Sequence, residues 1–217
     1  MGNIRTIGVL TSGGDAPGMN AAIRAVVRAG IYYGYKVMGI KRGFTGLVSG
    51  DMEELTLRAV SGIIQHGGTM LKTSRCPEFK TKEGIFKGVS MCKIFGIDVV
   101  VVIGGDGSFR GALDLSKAGI PVIGIPATID NDVGCTDYTI GFDTALNTVS
   151  DALDKIKDTG YSHERVSVLE VMGRKAGHIA INTGIAGGAE VILIPEETPD
   201  YEKDVIRPIL EGRNRGK

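Results

Sequence analysis

Four valines and an isoleucine stand in an unbroken row at Val99–Ile103 and stop against Gly104-Gly105-Asp106-Gly107-Ser108. β-Branched side chains are stiff at χ1 and pack well on a pleated surface, and a run apolar at every position has to be covered on both faces. Such a strand belongs to a parallel sheet with helices above and below it. Further apolar runs repeat the pattern: Ile4–Leu10, Lys36–Ile40, Pro121–Ile125, Val166–Val171 and Val191–Ile194 read as strands. Between them, Met19, Ala22, Ile23, Val26 and Val27 fall on one helical face. Phe142, Ala145, Leu146, Val149, Ala152, Leu153 and Ile156 form a second stripe with charges opposite. A last helical segment begins near Asp200, and Pro208 either kinks it or marks its true start. This alternation predicts a doubly wound α/β fold, which binds ligands beyond the carboxyl ends of its strands.

Composition narrows the class further. At 217 residues the chain has room for one full domain and part of a second. Lys+Arg and Asp+Glu are equal at 25 each, so no net field recruits nucleic acid or a membrane surface. Cys76, Cys92 and Cys135 are odd in number and widely spaced, which argues against a disulfide framework or a zinc site and fits a reducing, cytoplasmic setting. His66, His163 and His178 show no metal-ligand spacing and read as structural. Ile4–Leu10 is too short for the core of a secretory signal, and no run approaches a membrane span. The start of the chain matches a myristoylation pattern at Gly2, but the pattern is short and a buried strand follows, so it is set aside. Glycine is the outlier at 33 residues, about twice the usual ~7 %, and marks backbone that turns tightly or approaches a ligand.

Four polar loops follow the expected strands. Thr11-Ser12-Gly13-Gly14-Asp15-Ala16-Pro17-Gly18 leads into a helix, where free N–H groups favour an anion and adjacent glycines admit a phosphate. The same stretch also reads as a plain strand–helix turn. Gly104–Ser108 places the single carboxylate of Asp106 at a strand end, a costly position unless a cation pairs with it, and magnesium bridging phosphates is a natural partner. A helix cap at Ser108 is the plainer alternative. Asp130 and Asp132 flank Asn131, giving one candidate base and one metal or positioning group, or else an Asx-turn. Met172-Gly173-Arg174-Lys175 brings cations to a strand end. No GxGxxG fingerprint and no GxxxxGK[ST] loop is present. Phosphate-cradling backbone, a metal-ligand acid, a base and cations are together the parts of phosphoryl transfer.

The ordered segments GVLTSGGDAPGMNAAIR, VVIGGDGS, PATIDND, TIGFDTALNT, SHER and EVMGR make the whole chain resemble the ATP-dependent 6-phosphofructokinases of bacterial type. The resemblance implies residues 1–138 as an ATP-binding α/β domain and 139–217 as the first part of a substrate and effector domain, both incomplete here. It implies Mg-ATP as donor, fructose 6-phosphate as acceptor at its 1-hydroxyl, and a place in glycolysis. Gly14, Arg75, Cys76, Gly105, Asp106, Gly107 and Ser108 would hold ATP, with Asp106 serving Mg2+ and Cys76 contributing backbone or packing. Thr128, Ile129, Asp130, Met172, Gly173 and Arg174 would face the sugar, with Asp130 as general base. Arg75 and Arg174 would offset charge on the moving phosphoryl group, and Asp132 would sit beside metal and base. Arg165 would reach the sugar phosphate of a neighbouring subunit, implying a homotetramer at full length.

Donor choice in this family turns on positions 107 and 127, where pyrophosphate-dependent relatives carry a bulky acid and a lysine. Gly107 and Ala127 are small and favour ATP, although glycine is usual at 127 in the ATP type. Arg24 and Arg28, four residues apart on a helix, repel one another by a few tenths of a kcal/mol unless an anion lies between them. The resemblance puts them in an effector site for ADP or phosphoenolpyruvate, with Lys157, Gly188, Ala189, Glu190, Arg215 and Lys217. Leu57, Gly62 and Lys157 depart from the family pattern there, which puts the effector response in question. Full-length members are about half as long again, so an inactive nucleotide-binding fragment is the alternative reading of the chain, with a pyrophosphate-dependent enzyme less favoured. NAD and lipid kinases share the GGDG loop but lack the PATIDND and EVMGR segments.

Overall fold

A computed structural model describes residues 4–215, so Gly2 and Lys217 lie outside the described residues. The chain divides into two compact units: residues 1–128 with 132–141, and residues 129–131 with 142–217.

The first unit is an α/β sheet with strand order β3-β2-β1-β4-β5-β6. Its strands are β1 (Thr6–Ser12), β2 (Lys36–Ile40), β3 (Met52–Glu54), β4 (Val99–Gly104), β5 (Val122–Thr128) and β6 (Ile140–Gly141). All neighbours run parallel except β2 and β3. The valine run is β4, buried along its whole length between β1 and β5. Helix α1 (Met19–Tyr32) lies on one face, where a methyl on Gly30 would meet Val37 and Ile7. The opposite face carries the main core, in which Leu10, Ile40, Val100 and Val102 pack with Leu47, Cys92 and Leu115. These last residues come from α2 (Phe44–Ser49), α3 (Lys82–Ile94) and α4 (Asp106–Lys117). A 3₁₀ turn at Glu78–Lys80 brings Phe79 to stack on Phe44 at 4.3 Å. The outer edge is closed by the short antiparallel β3, where Lys36–Glu54 and Lys41–Glu53 ion pairs cross between β2 or its end and β3. Short, charged edges of this kind discourage pairing with other chains.

The second unit holds α5 (Phe142–Ser162), α6 (His178–Gly187) and α7 (Arg207–Asn214). Asp200 caps the last segment, its side chain accepting from the N–H groups of Glu202 and Lys203. A π-helical turn at Tyr201–Ile206 runs directly into α7, and Pro208 stands at that junction.

The expected strands Val166–Val171 and Val191–Ile194 are not present. A strand is a paired object, and neither segment has a ladder partner among the described residues. Val168 is 92 % exposed. The second segment packs side chains on a helix instead: methyls on Gly184 and Gly177 would meet Ile192 and Ile194, and Glu196 accepts from the Gly177 N–H at 2.8 Å. The first strand is shifted to Thr6–Ser12, because Ile7–Ser12 pairs with Val99–Gly104.

Candidate active site

Parallel register decides which loops meet. Ser12 pairs with Gly104, and Gly104 with Pro126, so the chain leaves β1, β4 and β5 side by side at the carboxyl edge of the sheet. From β1 the chain crosses to β2 on one side and later to β4 on the other. This reversal is the topological switch point at which open α/β sheets bind ligands. Gly13-Gly14 flank it from one strand and Gly105–Ser108 from the other.

Gly13 and Gly18 have φ of 91° and 88°, so the first loop turns through left-handed backbone at both ends. A Cβ at Gly14 would meet nothing within 4 Å, which leaves its backbone open to an approaching group. Helix α1 follows without any side-chain cap or first-turn acid, so its N–H groups keep their attraction for an anion. The end of this loop interlocks with β6: a Cβ on Gly18 would lie 2.6 Å from Ile140, and one on Gly141 would lie 2.8 Å from the Pro17 carbonyl.

Across the switch point, Gly104 is packed so tightly that a Cβ would stand 2.5 Å from both the Ser12 carbonyl and Ser108 Oγ. Ser108 is only 3 % exposed, and its Oγ is one of two buried side-chain polar atoms that lack a partner among the described residues. A buried hydroxyl costs free energy unless something bonds it, so it marks a place prepared for a ligand or water. Gly107 has open space at its Cβ position.

Asp106 differs from its sequence expectation. It is not a buried lone carboxylate but opens the first turn of α4, 50 % exposed in its side chain, and Arg110 pairs with it at 2.8 Å one turn on. Ser108 likewise lies inside α4, and the cap position belongs to Gly105. The methyl of Ala127 is fully buried within β5, whereas the Cβ position of Gly107 is open.

Thr128 ends β5, and its carbonyl accepts from Thr139 Oγ1. Asp132 follows in the same unit, while Ile129, Asp130 and Asn131 group with the second unit; Asn131 has φ of 51°. Arg75 is exposed on the long segment between β3 and α3, and the half-buried Cys76 packs against the core beneath it. Hydrogen bonds to Thr11, Gly13 and Asn20 fasten this segment, an attachment that loop composition alone does not reveal. The available signal was Asn20 itself, a polar residue beside Met19 on the apolar side of α1.

In the second unit, Gly173 and Arg174 form a tight turn, closed by the Ala176 N–H donating to the Gly173 carbonyl at 2.9 Å, with Arg174 at φ of 59°. Arg174 and Met172 are exposed, and so is Arg165, which follows α5. Lys157 Nζ donates to the Gly187 carbonyl at 2.6 Å, which brings it to the C-terminus of α6 beside Gly188 and Ala189. Glu190 lies against Gly212 of α7, and Arg215 reaches Glu211 at 3.6 Å. In the first unit, Arg24 and Arg28 share a face of α1. The Arg24 Nε is the second buried polar atom without a partner, and Arg28 lines a cavity of about 380 Å³ with Ala29, Ile31, Tyr32 and Leu57.

The family model described as Phosphofructokinase matches residues 6–217. Over 214 residues the chain is 60 % identical to the ATP-dependent 6-phosphofructokinase of Alkaliphilus metalliredigens, covering 99 % of this chain and 67 % of that protein. The ATP-dependent 6-phosphofructokinase of Clostridium botulinum strain Hall is 61 % identical over the same coverage. Among solved structures, the phosphofructokinase of Pichia pastoris in the T-state superposes with a TM-score of 0.91 at 40 % identity, over 100 % of this chain and 25 % of that one. The chain therefore spans about two-thirds of the length of these bacterial relatives.

Proposed function

This chain belongs to the phosphofructokinase family, and we propose that it carries the donor cradle and general base of an ATP-dependent 6-phosphofructokinase. The observation that carries the reading is the switch point itself. Open backbone at Gly14, the unpartnered Ser108 hydroxyl and the first turn of α4 belong to the loops that leave the sheet there, and glycine backbone with a helix N-terminus is what a polyphosphate needs. In this reading residues 1–138 bind ATP, with Gly14, Arg75, Cys76, Gly105, Gly107 and Ser108 around it, and residues 139–217 begin the sugar and effector domain.

Asp106 fits a metal that arrives with the nucleotide. A single half-exposed carboxylate at the cradle's rim suits Mg2+, which binds through one or two carboxylates and takes its other ligands from phosphates and water. No group of three or more potential ligands occurs among the described residues, as a dedicated protein cage would need. When bound, the ion neutralises developing phosphate charge. Asp130 takes the proton of the fructose 6-phosphate 1-hydroxyl as that oxygen bonds to the γ-phosphorus of ATP and the bridging oxygen leaves with ADP. Asp132 stands beside the base, and Thr128, Ile129, Met172 and Gly173 line the sugar. Arg75 and Arg174 offset the charge of the moving phosphoryl group, and Arg165 serves a neighbouring subunit of a homotetramer.

The orphaned Arg24 Nε favours an anion on α1 as well. The family resemblance is what groups Arg24 and Arg28 with Lys157, Gly188, Ala189, Glu190 and Arg215 as residues of an effector site for ADP or phosphoenolpyruvate. No helix among the described residues is long and apolar enough to cross a membrane, and a cytoplasmic setting suits the activity.

The test is ADP release by the purified natural protein with Mg-ATP, with and without fructose 6-phosphate, and with pyrophosphate as competing donor. Sugar-dependent release from ATP supports the reading. ATP binding with no sugar dependence would replace it with a nucleotide-binding role, and preference for pyrophosphate would reverse the donor assignment.

A further inference from the structure

We propose that Asn20 is a positioning residue for phosphoryl transfer: it anchors a strap, residues 66–75, over the phosphate loop and thereby sets where Arg75 stands. The inference rests on the reading of Arg75 given above and adds a residue to it.

Asn20 is the second residue of α1 and is 3 % exposed. Its side chain makes no bond within its own helix. The Nδ2 group donates to the carbonyls of His66 and Gly67 at 3.0 and 3.2 Å, and Oδ1 accepts the Met70 N–H at 2.7 Å. Both amide protons and the carbonyl oxygen are used, so one orientation satisfies all three bonds. Asparagine is a poor helix former, and an apolar residue would fill this buried position without needing partners. The amide is therefore explained by what it holds.

On either side of Met70 the strap is fastened at nearly every step. Thr69 Oγ1 meets Thr11 Oγ1 at 2.8 Å, and Thr11 Oγ1 donates to the Lys72 carbonyl at 3.0 Å. Leu71 is fully buried, and its carbonyl accepts the Arg42 N–H at 2.8 Å. Thr73 Oγ1 donates to the Gly13 carbonyl at 2.7 Å, inside the phosphate loop. Ser74 Oγ donates to the Arg42 carbonyl at 3.0 Å and contacts Thr45 Oγ1 at 2.8 Å. The next residue is Arg75. Backbone at Gly13, backbone at Arg42 and the amide of Asn20 thus locate the point from which the guanidinium extends.

Releasing the strap should displace the guanidinium. A displacement near 1 Å can cost ~10²-fold in rate. In the natural protein, Asn20→Ala should lower kcat by about 10–100-fold and shift the KM for Mg-ATP no further than Arg75→Ala does. Arg75→Ala should lower kcat too, and the Asn20→Ala/Arg75→Ala double variant should be no slower than Arg75→Ala alone, because the two residues act as one unit. Thr73→Val removes one hydroxyl from the strap without opening the core and should show the same split and the same non-additivity. It carries the test if Asn20→Ala does not fold.

Losses that multiply in the double variants would overturn the strap, as would a folded Asn20→Ala or Thr73→Val enzyme with native kcat. Arg75→Ala with native kcat would instead remove Arg75 from the reaction, and a native protein without sugar-dependent ADP release would remove both readings.

Discussion

Thr139 donates its hydroxyl proton to the carbonyl of Thr128 at 2.6 Å, closing the loop that contains Asp130 and Asp132. Two residues on, Gly141 pairs with Thr128 in the β5–β6 ladder, so both ends of the loop are fastened at one point. A carboxylate on a loop pinned at both ends is a reasonable place for a base that must meet a hydroxyl at hydrogen-bonding distance.

Asp130→Asn in the full-length enzyme should therefore retain Mg-ATP binding and lose turnover. The amide keeps the shape of the carboxylate but cannot accept the proton, and loss of a general base costs ~10²–10⁴-fold. Calorimetric titration with ATP and a coupled ADP assay at saturating fructose 6-phosphate check the two halves. Native turnover would take Asp130 out of the role.

Gly107→Asp should weaken ATP use without unfolding the protein. Nothing lies within 4 Å of its Cβ position, and an acid in the first turn of α4 is favourable for the helix. The new carboxylate would face the phosphates, and a rise of at least tenfold in the Kd for ATP is expected, roughly 1.4 kcal/mol. Ala127→Lys, its counterpart on sequence grounds, should destabilise the fold instead, because Ala127 is 0 % exposed and a buried ammonium is costly. Thermal melts of the two single variants separate these outcomes, and a Gly107→Asp enzyme with native ATP affinity would show the donor site to be elsewhere.

The three cysteines should react in a set order. Burial pushes the Cys92 thiol up to about 11, so that near pH 8 only about one molecule in a thousand carries the thiolate that attacks an alkylating reagent. Cys135 is exposed and Cys76 half-buried. Iodoacetamide labelling followed by peptide mass spectrometry should find Cys135 modified first and Cys92 only after denaturation. Early labelling of Cys92 would mean that the core opens locally around it.

Acid stability should depend on Asp98. The N–H groups of Arg5 and then Thr6 donate to its Oδ2 at 2.7 and 2.9 Å and hold the carboxyl below its ordinary value. A depressed folded pKa gives stability that is present above the unfolded pKa and lost as pH falls through the folded one. Asp98→Asn should therefore melt below the native protein at pH 7, and the gap should close as pH falls through the depressed folded pKa of Asp98. A constant gap across that range would mean that the charge contributes nothing.

Most of the sheet was legible because its strands advertise themselves. Lys36–Ile40 lies between turn signals, and Val99–Ile103 has no polar residue to place it on a surface. Met52–Glu54 carries no apolar pattern to announce it, being a three-residue edge strand with two acids, held by its backbone ladder to β2. α2 is too short, at six residues, for periodicity to reveal it. Val166–Val171 misled for the opposite reason: its composition is that of a strand, but composition cannot supply a neighbour. At the site, loop identity was readable from glycine and aspartate spacing. The pairing of Asp106 with Arg110 was not, because it depends on where α4 begins.

The interlock between Gly18 and Ile140, and between Gly141 and Pro17, also bears on how this sequence can drift over generations. Both glycines have positive φ and both lack room for a methyl, so a single replacement at either one faces a backbone penalty and a collision together. Trimming Ile140 would relieve one collision at Gly18, but no side-chain change elsewhere can clear the Pro17 carbonyl from Gly141. Of the two, Gly18 can shed its collision through a compensating second mutation while keeping its backbone penalty, and Gly141 can shed neither short of moving the main chain.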